Sequence, residues 1–156
     1  MMIKTLDENR LGLLVWKVSN FWHNSLKRYL KKHSLTVNEY IVLESIYRLQ
    51  NNQININQIA LSNYSGVDIS VISVVLKLLE KKSLVTRNID LDNRKKIINL
   101  TNKAILKIKE ILPSIDEVEK NIFNKLDKEK TNFYNTLKII LGKKIRIKAE
   151  RSINDN

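Results

Sequence analysis

The sequence predicts a mainly α-helical fold carrying one small β-hairpin, and three observations support it. Apolar residues recur at steps of three and four along most of the chain, the spacing that gathers side chains on one face of a helix. Glycine and proline are scarce, 3 and 1 among 156 residues, which leaves a turn-rich sandwich or barrel too little turn chemistry to form. Only the stretch from Leu84 to Leu100 switches to β-prone residues interrupted by a turn. A hydrophobic share of 43% can build a core. One domain over residues 1–156 is expected, burying about 70% of the surface its unfolded chain exposes.

The first helix, about 9–33, takes its face from Leu11, Leu14, Val15, Val18, Phe21, Trp22, Leu26, Tyr29 and Leu30. Thr36-Val37-Asn38-Glu39 has capping-box spacing, in which the threonine hydroxyl accepts from the third helical amide and the glutamate reaches back. Leu35 and Tyr40 occupy the staple positions around it. A second helix therefore runs from Thr36 to about Leu49, burying Ile41, Leu43, Ile46 and Tyr47 in part. Gln50 to Gln53 is a polar connection, and Ile54-Asn55-Ile56 alternates as a short strand does. Asn57 caps a third, short helix through Asn63 or Tyr64. Ser65-Gly66 makes a turn, and Asp68 or Ser70 caps a fourth helix that ends near Lys82. Two short helices joined by a tight glycine turn, the second polar on one face, describe a helix-turn-helix.

Leu84 to Ile89 and Arg94 to Leu100 then flank the turn-like Asp90-Leu91-Asp92-Asn93. This hairpin is a wing near 84–100, and it makes the stretch of about 36–100 a winged helix-turn-helix lobe. Thr101 caps another long helix. Pro113 is expected to kink or break it, because proline removes an amide donor and clashes with the preceding turn. A last helix from near Asp127 places Phe133, Leu137, Ile140 and Leu141 on one side and ends at Gly142. The helices of about 9–33 and 101–142 thus flank the lobe.

Charge narrows the function. There are 28 Lys+Arg against 16 Asp+Glu, a formal net charge of +12, which attracts polyanions because phosphate contacts release condensed counterions. Codon bias toward Lys, Ile and Asn offers an alternative origin for the same excess. No acid occurs between Asn9 and Asn38, where Arg10, Lys17, Lys27, Arg28, Lys31 and Lys32 are basic. Eight basic residues face three acids from Lys77 to Lys103, and Lys143, Lys144, Arg146, Lys148 and Arg151 form a further cluster. Zero cysteine removes disulfides, thiolate zinc sites and thiol redox sensing. His23 and His33 stand ten apart without a metal-ligand pattern, so no metal or cofactor is expected. No phosphate loop, G-x-S-x-G or H-E-x-x-H occurs, so an enzyme is not expected. The N-terminus lacks the apolar run of a signal peptide. The longest apolar stretch, Ile69 to Leu79, is broken by Ser70, Ser73 and Lys77 and is too short for a bilayer. A cytoplasmic protein is expected.

The runs GLLVWKVSNFWHNSLKRYLKKHSLTVNEYIVLESIY, QIALSNYSGVDISVISVVLKLLEKKSLVTR and DNRKKIINLT resemble the MarR family of bacterial transcriptional regulators. The similarity covers Leu11 to Leu141 in the family's element order. Its most specific pieces are LEKK-x-LV-x-R, from Leu79 to Arg87, and the wing D-x-R followed by LT at Asp92, Arg94, Leu100 and Thr101. The chain departs from the family at Ser83, where a glycine is usual, and at Asn93, which reduces the wing arginine pair. Its recognition helix carries no arginine. The resemblance implies homodimers that bind double-stranded DNA and, in many members, small phenolic or anionic effectors held between the dimerisation helices and the DNA-binding lobe.

Residue roles follow from helical geometry and that resemblance together. With Val67, Ile72, Val75, Leu76 and Leu79 toward the core, the helix near 68–82 shows Ser70, Val71, Ser73, Val74 and Lys77, with Ile69 at its border. Hydroxyls can bond base edges and valines can pack on thymine methyls; Val71 and Val74 can equally be packing residues. Without arginine there is no bidentate guanine contact, so an AT-rich palindrome is expected. Arg94 suits a narrow A·T minor groove, with Asp92 holding it in place. Lys95, Lys96 and Arg87 are phosphate contacts or solvated charges. Trp16, Phe21, Trp22 and Tyr29, with Phe123, Phe133, Leu137 and Ile140, exceed what a small winged-helix core needs. A two-fold dimer built on Leu11, Leu14, Trp22, Phe133, Leu137 and Ile140 would bury that surplus and set recognition helices about 34 Å apart. Trp16, Tyr40 and Tyr47 either line an effector cleft or belong to the core. The expectation is a homodimeric sequence-specific DNA-binding regulator, a repressor through promoter occlusion. The alternatives are a low-specificity architectural DNA binder and a winged-helix protein-interaction module.

Overall fold

The computed structural model describes residues 9–52, 55–89 and 96–143. Its elements run α1 (Leu11–Leu30), a 3-10 turn (Lys31–His33), α2 (Val37–Asn51), α3 (Gln58–Ser65), α4 (Ile69–Lys81), β1 (Val85–Ile89), β2 (Lys96–Leu100), α5 (Asn102–Phe123), a 3-10 segment (Asn124–Glu129) and α6 (Lys130–Ile140). Two compact units divide the chain, Met1–Glu119 and Lys120–Asn156.

In the first unit, one continuous core gathers Leu26 and Leu30 of α1, Val42, Leu43 and Ile46 of α2, Leu61 of α3, Ile72, Leu76 and Leu79 of α4, Ile98 of β2, and Ile108 and Ile111 of α5. Only the C-terminal end of α1 enters this core. Local chemistry sets the boundaries of the helices. Thr36 Oγ1 accepts from the Glu39 amide at 3.2 Å and Glu39 Oε2 accepts from the Thr36 amide at 2.8 Å, a complete capping box. Asn57 caps α3 through the Ala60 amide at 2.9 Å. Gly66 ends α3 at φ +74, and no heavy atom lies within 4 Å of where its Cβ would stand, so backbone angle and not crowding calls for glycine. The turn is stitched by Ser62 Oγ donating to the Val67 carbonyl at 2.8 Å, and the chain bends by 111° between α3 and α4. That angle is the helix-turn-helix geometry.

The hairpin is antiparallel, with Val85 opposite Leu100 and Arg87 opposite Ile98. Two neighbours clamp β2. Gln50 of α2 donates to Asn99 Oδ1 at 3.1 Å, and the Ile98 amide donates to the Ile56 carbonyl at 3.0 Å. Here the structure departs from the alternation at 54–56: Asn55 and Ile56 form no strand, because one main-chain bond is too little to build a ladder, and Ile54 lies outside the described residues. Thr101 caps α5 as expected, through the Ala104 amide at 3.2 Å. Pro113 does not break α5, which runs through it to Phe123. Burial of Ala104, Ile108, Ile111 and Ile115 along one face outweighs the single lost backbone bond. In the second unit, α6 begins at Lys130, three positions beyond the expected start, because Asp127 takes a non-helical φ of 42 and ψ of −118.

Three helical segments end the same way. At the end of α4 the Leu84 amide donates to the Leu79 carbonyl and the Ser83 amide to the Glu80 carbonyl, both at 2.9 Å. This paired pattern needs a left-handed residue between them, and Ser83 supplies it at φ 57. Ser34, at φ 56, closes the α1 segment with the same pair of bonds, and Gly142 closes α6 at φ 65. Only α6 has the residue type that the conformation favours. Ser83→Gly should therefore raise stability by about 0.5–1 kcal/mol, seen as a higher denaturant midpoint with an unchanged slope; an unchanged or lower midpoint would show that serine bears no strain there.

Candidate nucleic-acid interface

Helix α4 combines a fully buried face with a solvent face of serine, aliphatic and lysine side chains. Ile72, Val75, Leu76 and Leu79 are buried, while Ile69, Ser70, Val74, Lys77 and Leu78 are exposed. Ser73 is half-buried at the border. The two valines separate: Val71 packs against the core and Val74 is 57% exposed. On the adjoining helix α3, Ile59 and Tyr64 are exposed as well. Leu78 and these two were not singled out from the sequence, since apolar residues at helical spacing read first as core.

The start of α4 is fixed by Asp68, whose carboxylate accepts from the Ser70 hydroxyl and, at 2.8 Å, from the Ser70 amide. These bonds hold the Asp68 carboxyl below the usual carboxylate range. They also give Ser70 a definite chemistry. Its hydroxyl proton is spent on Asp68, so toward solvent it offers lone pairs.

The other end of α4 is tied to the wing. Arg87 of β1 donates through Nε to Glu80 Oε1 at 2.7 Å and through Nη2 to Glu80 Oε2, a two-pronged pair. The hydrogen bonds to Glu80 hold the guanidinium protonated. Two of the five Arg87 donors are thus committed inside the lobe. Asp92, Arg94 and Lys95 lie outside the described residues, and Lys96 is described as the first residue of β2.

A second tie was not legible as a pair from the sequence. Glu39, 1% exposed, closes its capping box with one oxygen and accepts from Lys82 Nζ with the other, at 2.7 Å. Lys82 also donates to the Ser34 carbonyl at 2.8 Å. One ammonium group therefore joins the end of α4 to the start of α2 and the end of the α1 segment. Helix α5 adds Lys103 Nζ on the Lys82 carbonyl at 3.0 Å and Lys107 Nζ on the His33 carbonyl at 3.2 Å.

The outer helices carry the remaining residues of interest. On α1, Leu11 is 71% exposed and Leu14, Val15, Trp16, Val18 and Phe21 are also exposed. Trp22 is half-buried and its indole donates to Glu119 Oε1 at 2.9 Å. On α6, Phe133 and Leu137 are half-buried and Ile140 is exposed. Trp16 stands in solvent, Tyr40 is buried and Tyr47 is half-buried against the core. The Tyr40 hydroxyl donates to Glu44, and burial first, then this bond, push its phenol far above the ordinary value, so it stays neutral. Among the described residues no group of three His, Cys, Asp or Glu side chains could hold a metal ion, and no single helix is long and apolar enough to cross a membrane.

Removing Lys82 would strand the Glu39 carboxylate. Because the Lys82 side chain keeps 38% of its surface in water, Lys82→Met should cost about 1–3 kcal/mol, less than a fully buried pair. Urea unfolding of Lys82→Met, Glu39→Gln and the double variant checks this. Strictly additive losses would deny the coupling.

Comparison with known proteins adds to this geometry. The model of the MarR family matches residues 35–97. The HTH-type transcriptional regulator SarZ of Staphylococcus saprophyticus is 33% identical over 123 residues, covering 78% of this chain and 79% of that protein. An uncharacterized HTH-type transcriptional regulator of Bacillus subtilis, YdcH, is 26% identical over 131 residues, covering 83% of this chain and 88% of that one. Among solved structures, the Staphylococcus aureus MepR–DNA complex superposes with a TM-score of 0.77 at 22% identity, covering 87% of this chain and 97% of that one. CouR of Rhodococcus jostii bound to p-coumaroyl-CoA gives 0.76 at 21% identity, covering 92% and 100%.

Proposed function

The chain belongs to the MarR family of winged-helix transcriptional regulators, and from that premise we propose that it acts as a homodimeric, sequence-specific repressor on double-stranded DNA. The observation that carries this reading is the two-faced helix α4: it is locked into the core by four buried side chains and presents Ser70, Ser73, Val74 and Lys77 outward. Such a face suits the major groove. Ser70, restricted to accepting by its bond to Asp68, fits the exocyclic amines of adenine or cytosine. Val74 fits a thymine methyl, and Lys77 a phosphate or a base edge. Val71, packed on the core, contributes through position more than contact. Of the basic residues near the wing, Arg94, with Asp92 two positions before it in sequence, is assigned to the minor groove. Lys95 and Lys96 are assigned to phosphates. Arg87 supports the wing through Glu80 and keeps its remaining donors for the backbone.

Dimerisation rests on the outer helices. Leu11, Leu14, Val15, Trp16, Val18 and Phe21 leave a row of exposed apolar side chains on α1, and contiguous apolar surface of this kind marks interaction sites. In the second unit, Ile140 and the half-buried Phe133 and Leu137 of α6 offer apolar surface of their own, and in the first Trp22 of α1 is half-buried. A two-fold pairing through these surfaces presents two copies of α4 to successive turns of an AT-rich palindrome. A small molecule, such as the p-coumaroyl-CoA bound in the CouR structure, would act on that arrangement; the buried Tyr40, the half-buried Tyr47 and the exposed Trp16 are its candidate contacts on α1 and α2. The architectural reading keeps one specific support: α4 carries no arginine.

Binding to a selected palindrome and to random duplex, measured across salt concentrations, decides between the two. The regulator should show a steep salt slope and at least about 1000-fold preference for the palindrome, whereas a steep slope without preference would make it architectural. Arg94→Ala should weaken binding to the selected site by about 1–3 kcal/mol while leaving the dimer mass by light scattering and the thermal midpoint unchanged; undiminished affinity would remove the wing from the mechanism.

A further inference from the structure

A cleft of about 350 Å³ opens in the first unit where the end of the α1 segment, the end of α4 and the start of α5 converge. Lys32, His33, Lys82, Lys103 and Lys107 line it, and no acidic side chain does. Its charge can be counted. Four lysines line it, one of which is paired with Glu39. The helix ends whose carbonyls receive Lys82, Lys103 and Lys107 offset roughly −0.5 each, for the α1 segment and for α4. About two positive charges remain, in a concave site whose walls focus their field.

Donor capacity is in surplus as well. Lys103 and Lys107 each use one of their three N–H groups on a backbone carbonyl, and Lys32 sits with its ammonium 4.1 Å over the Tyr29 ring without a hydrogen bond. Apolar ligands are poorly served here, and cations are repelled.

We propose that this cleft is a binding site for a small free oxoanion of the phosphate class, carrying two negative charges. The assignment does not depend on the DNA-binding reading, since it concerns different side chains. It has a consequence for that reading all the same. Lys82 holds the end of the recognition helix to Glu39, so an anion that draws on the Lys82 ammonium loads the joint on which α4 is seated.

Isothermal titration of the full-length protein with inorganic phosphate and with pyrophosphate, in a chloride buffer without DNA, tests this. Saturable binding of one anion per chain is expected, at least tenfold weaker in Lys103→Met/Lys107→Met. Those lysines also secure helix ends, so Lys32→Met, which removes only the ammonium's contact with the Tyr29 ring, should weaken the anion several-fold with no more than a small drop in the thermal midpoint. Lys138→Met on α6 is the control and should leave it unaltered. Absence of saturable binding, or equal affinity in Lys32→Met and the wild type, overturns the site. A loss of DNA affinity in Lys32→Met without any free-anion binding would assign the lysines to the duplex backbone and overturn it equally.

Discussion

Glu39 carries a carboxylate almost wholly removed from water, and its position is tenable only because each oxygen has a strong donor: the Thr36 amide on one side and the Lys82 ammonium on the other. An unpartnered charge at that depth costs several kcal/mol, so loss of either partner is costly. Three helix ends meet at that point. The capping box starts α2, Lys82 finishes α4, and the Ser34 carbonyl, also held by Lys82, ends the α1 segment. A buried pair of this kind adds little net stability over an apolar one. Its value lies in register, since α4 rotated or shifted by a residue would leave the carboxylate stranded.

The same helix has to satisfy opposing demands. Its inner face supplies four residues to the core, while its outer face must stay free of structural obligations to be useful in recognition. The solution is to place the fastenings at the termini. Asp68 caps the beginning, the left-handed Ser83 shapes the end, Glu80 reaches the wing through Arg87, and Lys82 reaches α2. Strand β2 is in turn held from behind by Gln50 and Ile56. Strands β1 and β2 are therefore fastened both to α4 and to the segment around α2.

Local signals in the chain announced most of this fold. The capping box at Thr36, the Asn57 and Asp68 caps, the turn at Gly66 and the hairpin around 84–100 are short-range chemistry, and the residues involved lie within a few positions of each other. The misses have a common cause. Ile56 alternates with its neighbours yet receives one ladder bond among the described residues, because strand formation depends on a partner that periodicity cannot see. Pro113 sits within α5 because tertiary burial overrides its local cost. Of the interface, the amphipathic division of α4 was readable, but the separation of Val71 from Val74 was not, since both fall near the edge of the buried arc. The pairs Glu39–Lys82 and Glu80–Arg87 were hidden for the same reason: a charged residue in a sequence does not say which opposite charge will meet it.

The two tryptophans of α1 live in different surroundings. Trp16 is 61% exposed on the outer surface, whereas the Trp22 indole is anchored to the Glu119 carboxylate where α1 meets α5. Their emission should differ accordingly, with Trp16 red-shifted and open to aqueous quenchers and Trp22 shielded. The polypeptide thus contains two intrinsic optical reporters, one sensing whether its outer surface is covered and the other sensing the seam between its first and fifth helices, so both events can be followed in real time without attaching a dye.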